Sequence, residues 1–256
     1  MKRFQSDYND DMPATRCRLL SFSVHDGYQN MAIDDVLLQS AETGRCSLRF
    51  YGWREPTLSL GYFQKADDRL LDPLLTECAW VRRASGGGAI MHHHELTYCL
   101  ALPAELATRK AGSWLCRVHD AIRSTLSTYG VAASGVSCGE DKKLGPFLCF
   151  QHQTPADLLI GGHKIVGSAQ RKRRGAVMQH GSILLQRSPL APVLPGVGEL
   201  AQVQIDAFDL ATRLAATLQA ETGWQFDPDE LDAGELSRVP DVVRDTFAAD
   251  EWNHRR

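Results

Sequence analysis

The amino-acid sequence predicts a single α+β domain followed by a short C-terminal extension. Three observations favour this fold class. Three segments carry apolar residues at helical spacing, short strand-like runs lie between them, and a Gly-Gly pair joins two of these runs as in a β-hairpin. No internal repeat or linker divides the 256 residues. We expect a flexible N-terminal arm at 1–15, one main domain at 16–225 and an extension at 226–256.

The first half of the chain contains one predicted helix among several short strands. The helix runs from Asn30, which we expect to cap it, to Ala41, and Gly44 ends it. Proline at the Glu55-Pro56 step separates two strands, because it cannot donate to a ladder. The other predicted elements are strands at Ser47–Trp53, Thr57–Tyr62 and Trp80–Arg83, a helical turn at Pro73–Cys78, and a pair of strands at Ala89–Met91 and Leu96–Leu102.

The second half adds two longer helices around a three-stranded antiparallel meander. Gly161-Gly162 forms the first turn of the meander, and Arg171–Gly175 is expected to form the second. In chain order, the predicted elements are a helix at Ser113–Tyr129, a mobile loop at Ser134–Pro146, strands at Asp157–Ile160, His163–Gln170 and Ala176–Leu185, a helix at Ala207–Ala220, and a short helix near Val242–Ala248.

Composition and charge exclude several classes of function. The formal net charge is −3, which gives no global signal for nucleic-acid binding. No apolar run approaches the roughly 18 residues that a membrane span needs, and the N-terminus lacks the apolar core of a secretory signal. The 7 cysteines include no Cys-x-x-Cys pair, which favours reduced thiols over a disulfide framework or a zinc ribbon. We therefore expect a cytoplasmic protein with neither nucleic acid nor membrane as partner.

A glycine-rich turn is the first candidate binding element. The sequence from Arg82 to Gly88 reads Arg-Arg-Ala-Ser-Gly-Gly-Gly. Glycines let a backbone approach a ligand closely, and the two arginines carry forked donors suited to carboxylate or phosphate. No Gly-Lys-Ser/Thr follows and no helix opens here, so the pattern is neither a P-loop nor a dinucleotide fingerprint. The alternative interpretation is a plain hairpin turn beside a solvated basic pair.

A run of histidines, His92-His93-His94, follows the turn and raises the question of a metal. On a strand only His92 and His94 point to the same side. A metal would need further ligands that the sequence does not indicate, so we expect none. His92 is instead expected at the rim of a pocket.

Four motifs, in order along the chain, resemble those of the lipoate–protein ligase, octanoyltransferase and biotin–protein ligase superfamily. The resemblance spans roughly residues 20–220. The motifs are Phe50-Tyr51-x-Trp53-x-x-Pro56-Thr57-Leu58-Ser59-Leu60-Gly61-x-x-Gln64, Arg82-Arg83-x-Ser85-Gly86-Gly87-Gly88-Ala89-Ile90-x-His92, Lys164-Ile165-x-Gly167-Ser168-Ala169-Gln170, and Gln179-His180-Gly181-Ser182-Ile183-Leu184.

This resemblance implies a central mixed, mainly antiparallel sheet flanked by helices, with an acyl pocket between the glycine-rich turn and the lysine strand. Three chemistries occur on this scaffold: ATP-dependent ligation through an acyl-adenylate, octanoyl transfer from acyl carrier protein through a cysteine thioester, and amidotransfer between lipoyl domains. The substrate-binding residues that the resemblance implies are Arg82, Arg83, Ser85, Gly86, Gly87, Gly88, His92, Gly167, Ser168 and Ala169.

Two details favour the cysteine chemistry. The segment from His92 to Tyr98 is similar to that of the ligase-like octanoyltransferases of Gram-positive bacteria, apart from His93, where an acidic residue is usual. Cys149 lies just before the lysine hairpin, where that group has its nucleophile. We predict an acyltransferase without cofactor or metal that moves an octanoyl group from acyl carrier protein to a lipoyl-domain lysine, as in glycine-cleavage H protein or dehydrogenase E2 subunits.

Three alternatives stay open. An ATP-dependent lipoate–protein ligase would need a nucleotide site, and ATP would be its cosubstrate. A lipoyl-domain amidotransferase would share the cysteine chemistry and differ in its donor. A non-catalytic acyl-binding protein that kept the fold would form no thioester.

Cys149 and Lys164 are the predicted catalytic pair. A free thiol is mostly protonated at neutral pH, so a neighbouring cation is needed to raise the thiolate fraction. Lys164 would supply it, would stabilise the oxyanion and, with a lowered pKa, would take a proton from the acceptor amine. Strand alternation places Lys164 and Ser168 on one face and Gly167 on the other. His152 is the rival activator of Cys149.

The remaining parts of the predicted site are less specific. Backbone N–H groups of Gly86–Gly88 or Gly167–Ser168 are candidates for an oxyanion hole. The basic run Arg171–Arg174 forms either a solvated turn or a docking patch for acidic carrier and lipoyl proteins. Candidate walls for the acyl chain are Leu58, Leu60, Ile90, Tyr98, Ile165 and Val166.

Overall fold

The computed structural model describes residues 14–108, 113–137, 139–145 and 147–256, and the rest of the predicted N-terminal arm lies outside these ranges. The strands are β1 (Arg16–His25), β2 (Ser47–Trp53), β3 (Thr57–Leu60), β4 (Ala79–Arg82), β5 (Ile90–His92), β6 (Glu95–Leu102), β7 (Ser134–Gly135), β8 (Lys142–Lys143), β9 (His152–Gln153), β10 (Leu158–Ile160), β11 (His163–Arg173), β12 (Ala176–Leu184) and β13 (Gln225–Asp229). The α-helices are α1 (Gly27–Glu42), α2 (Pro73–Thr76), α3 (Ala104–Ala107), α4 (Trp114–Ser127), α5 (Val197–Ala201), α6 (Ala207–Thr222), α7 (Ala233–Val242) and α8 (Asp250–Asn253). Two 3₁₀ turns occur at Ala66–Leu71 and Cys149–Gln151, and a π-helical turn at Val243–Phe247.

The largest sheet among the described residues has eight strands, in the order β13-β1-β2-β6-β12-β11-β10-β7. Strand β1 pairs in parallel with both β13 and β2, and the other neighbours are antiparallel. The sheet is therefore mixed and mainly antiparallel, as the resemblance implied.

The central strand β6 is buried on both sides of this sheet. Leu96, Tyr98 and Leu100 face one hydrophobic core, while Cys99 and Ala101 face the other. Helices α4 and α6 pack on the first face, and α1 packs on the second. Such a strand alternates between two cores, so the run from Tyr98 to Leu102 has no polar face exposed to solvent.

Helix α1 begins earlier than predicted, because its cap is Asp26 rather than Asn30. The Asp26 side chain accepts a hydrogen bond from the Gln29 N–H at 2.9 Å. Asn30 is buried inside the helix, and its amide donates to the carbonyls of His25 and Gly52. The prediction of Asn30 as cap was wrong, since its partners come from strands that only the fold brings near.

The glycine-rich turn belongs to a second, three-stranded sheet with the order β4-β3-β5. The turn connects β4 to β5, which lie on opposite sides of β3. It is therefore not a hairpin turn. The expected pairing of Ala89–Met91 with Leu96–Leu102 was also wrong, because β5 pairs with β3 whereas β6 pairs with β2 and β12.

Residues of the predicted C-terminal extension pack against the main sheet and α1. Strand β13 pairs with β1, and α7 contacts α1. Two hydrogen bonds of 2.9 and 2.5 Å join the Arg18 guanidinium to the Glu235 carboxylate, and both side chains are buried. The sequence patterns did not predict β1 or β13, which meet residues far away in the chain.

The meander was predicted correctly, with Gly161-Gly162 joining β10 to β11. Its second turn is shorter than expected, because β11 extends through Arg173 and leaves only Arg174-Gly175 between the strands. The predicted loop at Ser134–Pro146 contains the short strands β7 and β8; Cys138 and Pro146 lie outside the described residues.

Candidate active site

Backbone hydrogen bonds hold Cys149 against the glycine-rich turn. Its N–H donates to the Ala89 carbonyl at 2.7 Å, and the Ala89 N–H donates to the Phe147 carbonyl at 3.2 Å. A Cβ added to Gly88 would lie 3.0 Å from both Cα and N of Cys149. The turn and the cysteine segment therefore form one tightly fitted unit at this point.

Arg83 ties the turn together from inside. Its Nη1 donates to the Ser59 carbonyl and hydroxyl, both at 2.8 Å, and its Nη2 donates to the carbonyls of Gly86 and Gly88 at 3.0 and 2.9 Å. The side chain is buried. Both terminal nitrogens of the Arg83 guanidinium therefore donate hydrogen bonds within the protein.

Arg82 has a similar role one residue earlier. Its guanidinium donates to the carbonyls of Asn253, Gly61 and Gln64, and it is fully buried away from the cavity described below. The structure thus gives Arg82 and Arg83 a part in shaping the turn, and substrate binding by these two residues stays a prediction.

Lys164 reaches the thiol of Cys149 from strand β11. Its Nζ lies 4.0 Å from Cys149 Sγ, 2.7 Å from Asp157 Oδ2 and 3.0 Å from the His152 carbonyl. Lys164 and Asp157 are both buried. An ammonium group in this position directs its donors to a carboxylate, a carbonyl and a sulfur atom.

A β-bulge sets the direction of the Lys164 side chain. Leu158 pairs with Val166, but the next residue, Leu159, pairs with Lys164, so β11 has one extra residue here. A Cβ added to Gly167 would lie only 2.5 Å from Lys164 Cε. Lys164 therefore shares a side with Gly167, and the predicted sharing with Ser168 was wrong because a bulge shifts the alternation by one residue.

Asp157 is a polar residue of the site that the sequence interpretation missed. Its Oδ2 also accepts hydrogen bonds from the N–H and hydroxyl of Thr154, at 2.7 and 3.0 Å. Threonine followed three residues later by aspartate is typical of a side-chain-bonded turn, and that signal could have been found. No sequence pattern indicated that the same carboxylate faces Lys164.

His152, the rival activator, points away from Cys149. Its Nε2–H donates to the Gly145 carbonyl at 2.7 Å, while only its backbone carbonyl contacts Lys164. The geometry thus pairs the thiol with the lysine ammonium rather than with this imidazole.

A cavity lies beside Cys149, with a volume of about 440 Å³ that includes space open to solvent. Its apolar walls include Met31, Tyr51, Trp53 and Ile90. Predicted site residues that line it are Cys149, Arg83, Gly86, Gly87, His92, Gly167, Ser168 and Ala169. Lys164, Arg82, Ser85 and Gly88 are not among the lining residues. Of the predicted walls, Ile90 lines the cavity and the others are buried elsewhere: Leu58, Leu60, Tyr98, Ile165 and Val166.

His92 is part of the inner wall of the cavity. Its Nδ1–H donates to Glu95 at 2.6 Å, and its Nε2 accepts from the Ser59 hydroxyl at 2.6 Å. The ring stacks on Trp53 at 3.8 Å between centroids. Burial lowers the pKa of His92 despite the neighbouring carboxylate of Glu95, so the ring is neutral and keeps this tautomer.

A second serine–histidine pair links the turn to the main sheet. The Ser85 hydroxyl donates to His180 Nε2 at 2.5 Å, and His180 Nδ1–H donates to Asp34 at 3.1 Å. Asp34 also accepts from Tyr51 and Arg49. Ser85 is buried and His180 lines the cavity. This series of hydrogen bonds therefore fixes the position of the turn relative to β12.

A third pair supports strand β11 next to Lys164. His119, a histidine on the otherwise apolar face of α4, donates from Nδ1 to the Ala156 carbonyl at 2.7 Å. Its Nε2 accepts from Ser168 at 2.6 Å, and Ser168 accepts from the Tyr98 hydroxyl at 2.6 Å. Burial lowers the pKa of His119, consistent with a neutral ring in this chain.

The basic run is mostly committed to the fold. Arg173 and Arg174 form ion pairs with Glu42 of α1, and Arg173 also pairs with Asp35. Arg171 lies over the Tyr62 ring at 5.5 Å. Two charges of the run are therefore paired with carboxylates of α1, and docking of an acidic protein at 171–174 stays a prediction.

Two further findings concern the described ranges only. No cluster of three or more His, Cys, Asp or Glu side chains in them is arranged to hold a metal ion. No helix in them is long and apolar enough to cross a membrane.

Comparisons with known proteins match most of the chain. Residues 26–194 match the family described as the lipoyl protein ligase A/B catalytic domain. The chain is 32% identical over 276 residues to the octanoyltransferase LipM of Moorella thermoacetica, covering 96% of this chain and 100% of that protein. It is also 32% identical over 262 residues to the octanoyltransferase LipM of Brevibacillus brevis, covering 89% and 94% of the two chains.

Solved structures share the fold at lower identity. A lipoate-protein ligase A bound with ATP superimposes with a TM-score of 0.74 and 21% identity, covering 94% of this chain and 99% of the other. A bi-partite lipoate protein ligase from Thermoplasma acidophilum, studied with its E2 lipoyl domain, gives a TM-score of 0.73 and 19% identity, covering 94% and 96%. Below 25% identity these two likenesses concern the fold alone.

Proposed function

The chain belongs to the lipoyl protein ligase A/B catalytic domain family and is an acyltransferase, and on that premise we propose that it transfers an octanoyl group from acyl carrier protein to a lipoyl-domain lysine in lipoate biosynthesis. The acyl group passes through a thioester on Cys149. The observation that carries this proposal is the 4.0 Å approach of Lys164 Nζ to Cys149 Sγ at the wall of a cavity. Near full-length similarity to octanoyltransferases supports the choice of acyl group.

In the first step the Cys149 thiolate attacks the carbonyl carbon of the donor thioester. A carbon–sulfur bond to Cys149 forms, the bond to the donor sulfur breaks, and the donor leaves as a thiol after taking up the proton that Cys149 released. The Lys164 ammonium stabilises the thiolate and the developing oxyanion. The N–H groups of Gly87 and Gly88 have no acceptor among the described residues, and they are therefore available to the oxyanion.

In the second step a neutral lysine amine of the acceptor attacks the Cys149 thioester. The carbon–nitrogen bond forms, the carbon–sulfur bond breaks, and an amide and a free thiol result. Lys164 relays the proton: its ammonium protonates the departing sulfur and recovers a proton from the attacking nitrogen. Asp157 at 2.7 Å keeps the ammonium in place throughout.

The donor is already activated as a thioester, so the reaction requires neither ATP nor a metal. The internal use of Arg82 and Arg83 agrees with this proposal, because their guanidinium groups donate to backbone carbonyls and are not directed at a phosphate. An ATP-dependent ligase would instead form an acyl-adenylate and no enzyme thioester.

The test is intact-mass spectrometry of the protein mixed with octanoyl acyl carrier protein, with and without ATP. We expect one octanoyl adduct without ATP, located on Cys149 by peptide mapping. Replacement Cys149→Ala should remove the adduct and lower octanoyl transfer to a lipoyl domain by at least about 10³-fold. The matched control is Cys116→Ala, at an exposed thiol on α4, which should leave both readouts unchanged.

Two outcomes would overturn the proposal. One is full transfer activity in folded Cys149→Ala protein. The other is incorporation of free octanoate or lipoate that depends on ATP and proceeds without a protein thioester.

A further inference from the structure

A second cavity opens on the other side of the Cys149–Lys164 pair. It measures about 560 Å³, and we call it the lysine groove. Its walls include Leu144, Phe150, Gln153, Lys164 and Val193. It shares no lining residue with the acyl cavity.

The two cavities meet at the reacting groups. Cys149 lines the acyl cavity and Lys164 lines the lysine groove, and their Sγ and Nζ atoms are 4.0 Å apart. The Phe150 ring, which also lines the groove, lies 5.4 Å from Nζ. A molecule entering the groove therefore approaches the Cys149 thioester past the ammonium that relays protons, without passing through the space that holds the acyl chain.

The entrance of the groove is apolar and exposed. Leu144 and Val193 are 63% and 61% exposed, high values for large apolar side chains on a folded domain. The side chain of lysine has a flexible apolar stem and a single polar tip, so it packs its methylenes against such walls and carries its amine further in. The apolar walls of the groove suit the stem of such a side chain.

Basic side chains lie at the entrance of the groove, next in the chain to the exposed carboxylates of Glu140 and Asp141. Lys142 and Lys143 are exposed, directly precede Leu144 and form β8. His163 lines the groove on its other side and is also exposed. Lys142 and Lys143 are exposed partners for carboxylates of an acidic protein surface, and lipoyl domains are typically acidic.

The acyl cavity has a separate exposed edge at the glycine-rich turn. Phe63 is 66% exposed and lies beside Gly86, with Arg256 over its ring at 5.4 Å. Arg255 covers the neighbouring Tyr62 ring at 4.2 Å. The donor that fills the acyl cavity has an edge of its own here, which leaves the lysine groove to the second substrate.

The geometry points to the lysine groove as the entrance for the acceptor: a lysine side chain presented on a protruding loop of an acidic protein domain. This inference rests on the function proposed above. It assigns the two half-reactions to opposite sides of the Cys149–Lys164 pair.

The experiment measures the two half-reactions separately, in Leu144→Asp and Val193→Asp variants of the full chain. Loading of Cys149 from octanoyl acyl carrier protein should stay within about twofold of the unmodified protein. Single-turnover transfer from the octanoyl-enzyme to a lipoyl domain should fall at least about tenfold, with a higher acceptor concentration at half-maximal rate. Hydroxylamine, which needs no docking, should discharge the thioester of each variant at the unmodified rate.

Leu236→Asp is the matched control, because Leu236 is 56% exposed on α7 and lines neither cavity. It should leave loading and transfer unchanged. Normal transfer in both groove variants would overturn the inference, and so would a loss of loading equal to the loss of transfer, which would make the groove a donor site. Absence of any thioester in the unmodified protein would instead overturn the proposed function.

Discussion

Replacement of Gly61 by alanine tests whether the glycine-rich turn must pack directly against the backbone at the end of β3. A Cβ at Gly61 would lie 1.9 Å from the Gly87 carbonyl oxygen, whereas real Cβ contacts essentially never fall below 3.0 Å. The difference, 3.0 − 1.9, means that the turn or β3 must move by about 1.1 Å. Neither side of this contact is a flexible side chain, so the backbone itself has to shift.

That shift acts directly on Cys149, the cysteine of the proposed thioester. A Cβ added to Gly87 would lie 3.9 Å from Cys149 Sγ, so a displaced turn displaces the wall next to this thiol. A misplacement of about 1 Å costs on the order of 10²-fold in rate, and overpacking of this kind costs about 1–3 kcal/mol in stability. We therefore expect Gly61→Ala to load Cys149 about 10²-fold more slowly while the protein remains folded.

The assay is the rate of octanoyl adduct formation by intact mass, with thermal denaturation recorded alongside. Gly135→Ala is the matched control, because a Cβ at Gly135 meets nothing within 4 Å and its backbone is not left-handed. The control should match the unmodified protein in both readouts. A Gly61→Ala protein that loads at the unmodified rate would refute the link between this contact and the chemistry.

The remaining predictions concern the charged and titrating groups. Asp157→Asn leaves the buried Lys164 ammonium without its carboxylate, so the free energy of unfolding measured in urea should fall by about 3–5 kcal/mol. Adding Lys164→Met to the same protein should restore part of this loss. If the losses of the two single variants simply add, the two side chains do not interact in the way described. His152→Gln should load octanoyl within about twofold of the unmodified protein, because the ring bonds a backbone carbonyl; a loss of about 10²-fold would make it the activator. Burial lowers the pKa of His92 and His119, so the unfolded chain takes up protons below about pH 6.5 while the folded rings stay neutral. Stability from these two rings is complete above that pH and is lost as the pH falls, so the melting temperature should drop from about pH 7.5 to about pH 5.5; an unchanged or rising value would contradict the assignment.

The parts of the fold that the sequence predicted are those with local causes. The meander follows from alternating strands and the Gly161-Gly162 turn, and α4 and α6 follow from apolar spacing within a single helix. Strands β1 and β13 escaped prediction because each depends on a parallel neighbour distant in sequence. The pairing of β5 with β3 instead of β6 is likewise a choice between distant partners that no local pattern decides.

The site shows the same division. Family resemblance indicated Cys149 and Lys164, and the structure places them close together. Strand alternation then gave the wrong face for Lys164, because the extra residue of a bulge leaves no mark in the sequence. Asp157 was missed for a related reason: its turn is local, but its contact with the lysine depends on the β10–β11 register.

The arginine of the glycine-rich turn explains how a loop without helical or phosphate-binding features can present N–H groups to a substrate. The C=O and N–H of one planar peptide point in opposite directions. Arg83 draws the Gly86 carbonyl towards itself, so the Gly87 N–H must point away from the guanidinium. The Gly87 carbonyl in turn lies against Gly61, so the Gly88 N–H points away from β3, on a turn that already abuts the Cys149 backbone. The buried Arg83 guanidinium and the missing Cβ at Gly61 therefore orient two consecutive N–H donors. Under the proposed function, Arg83 acts on the acyl group through the peptide planes that it fixes.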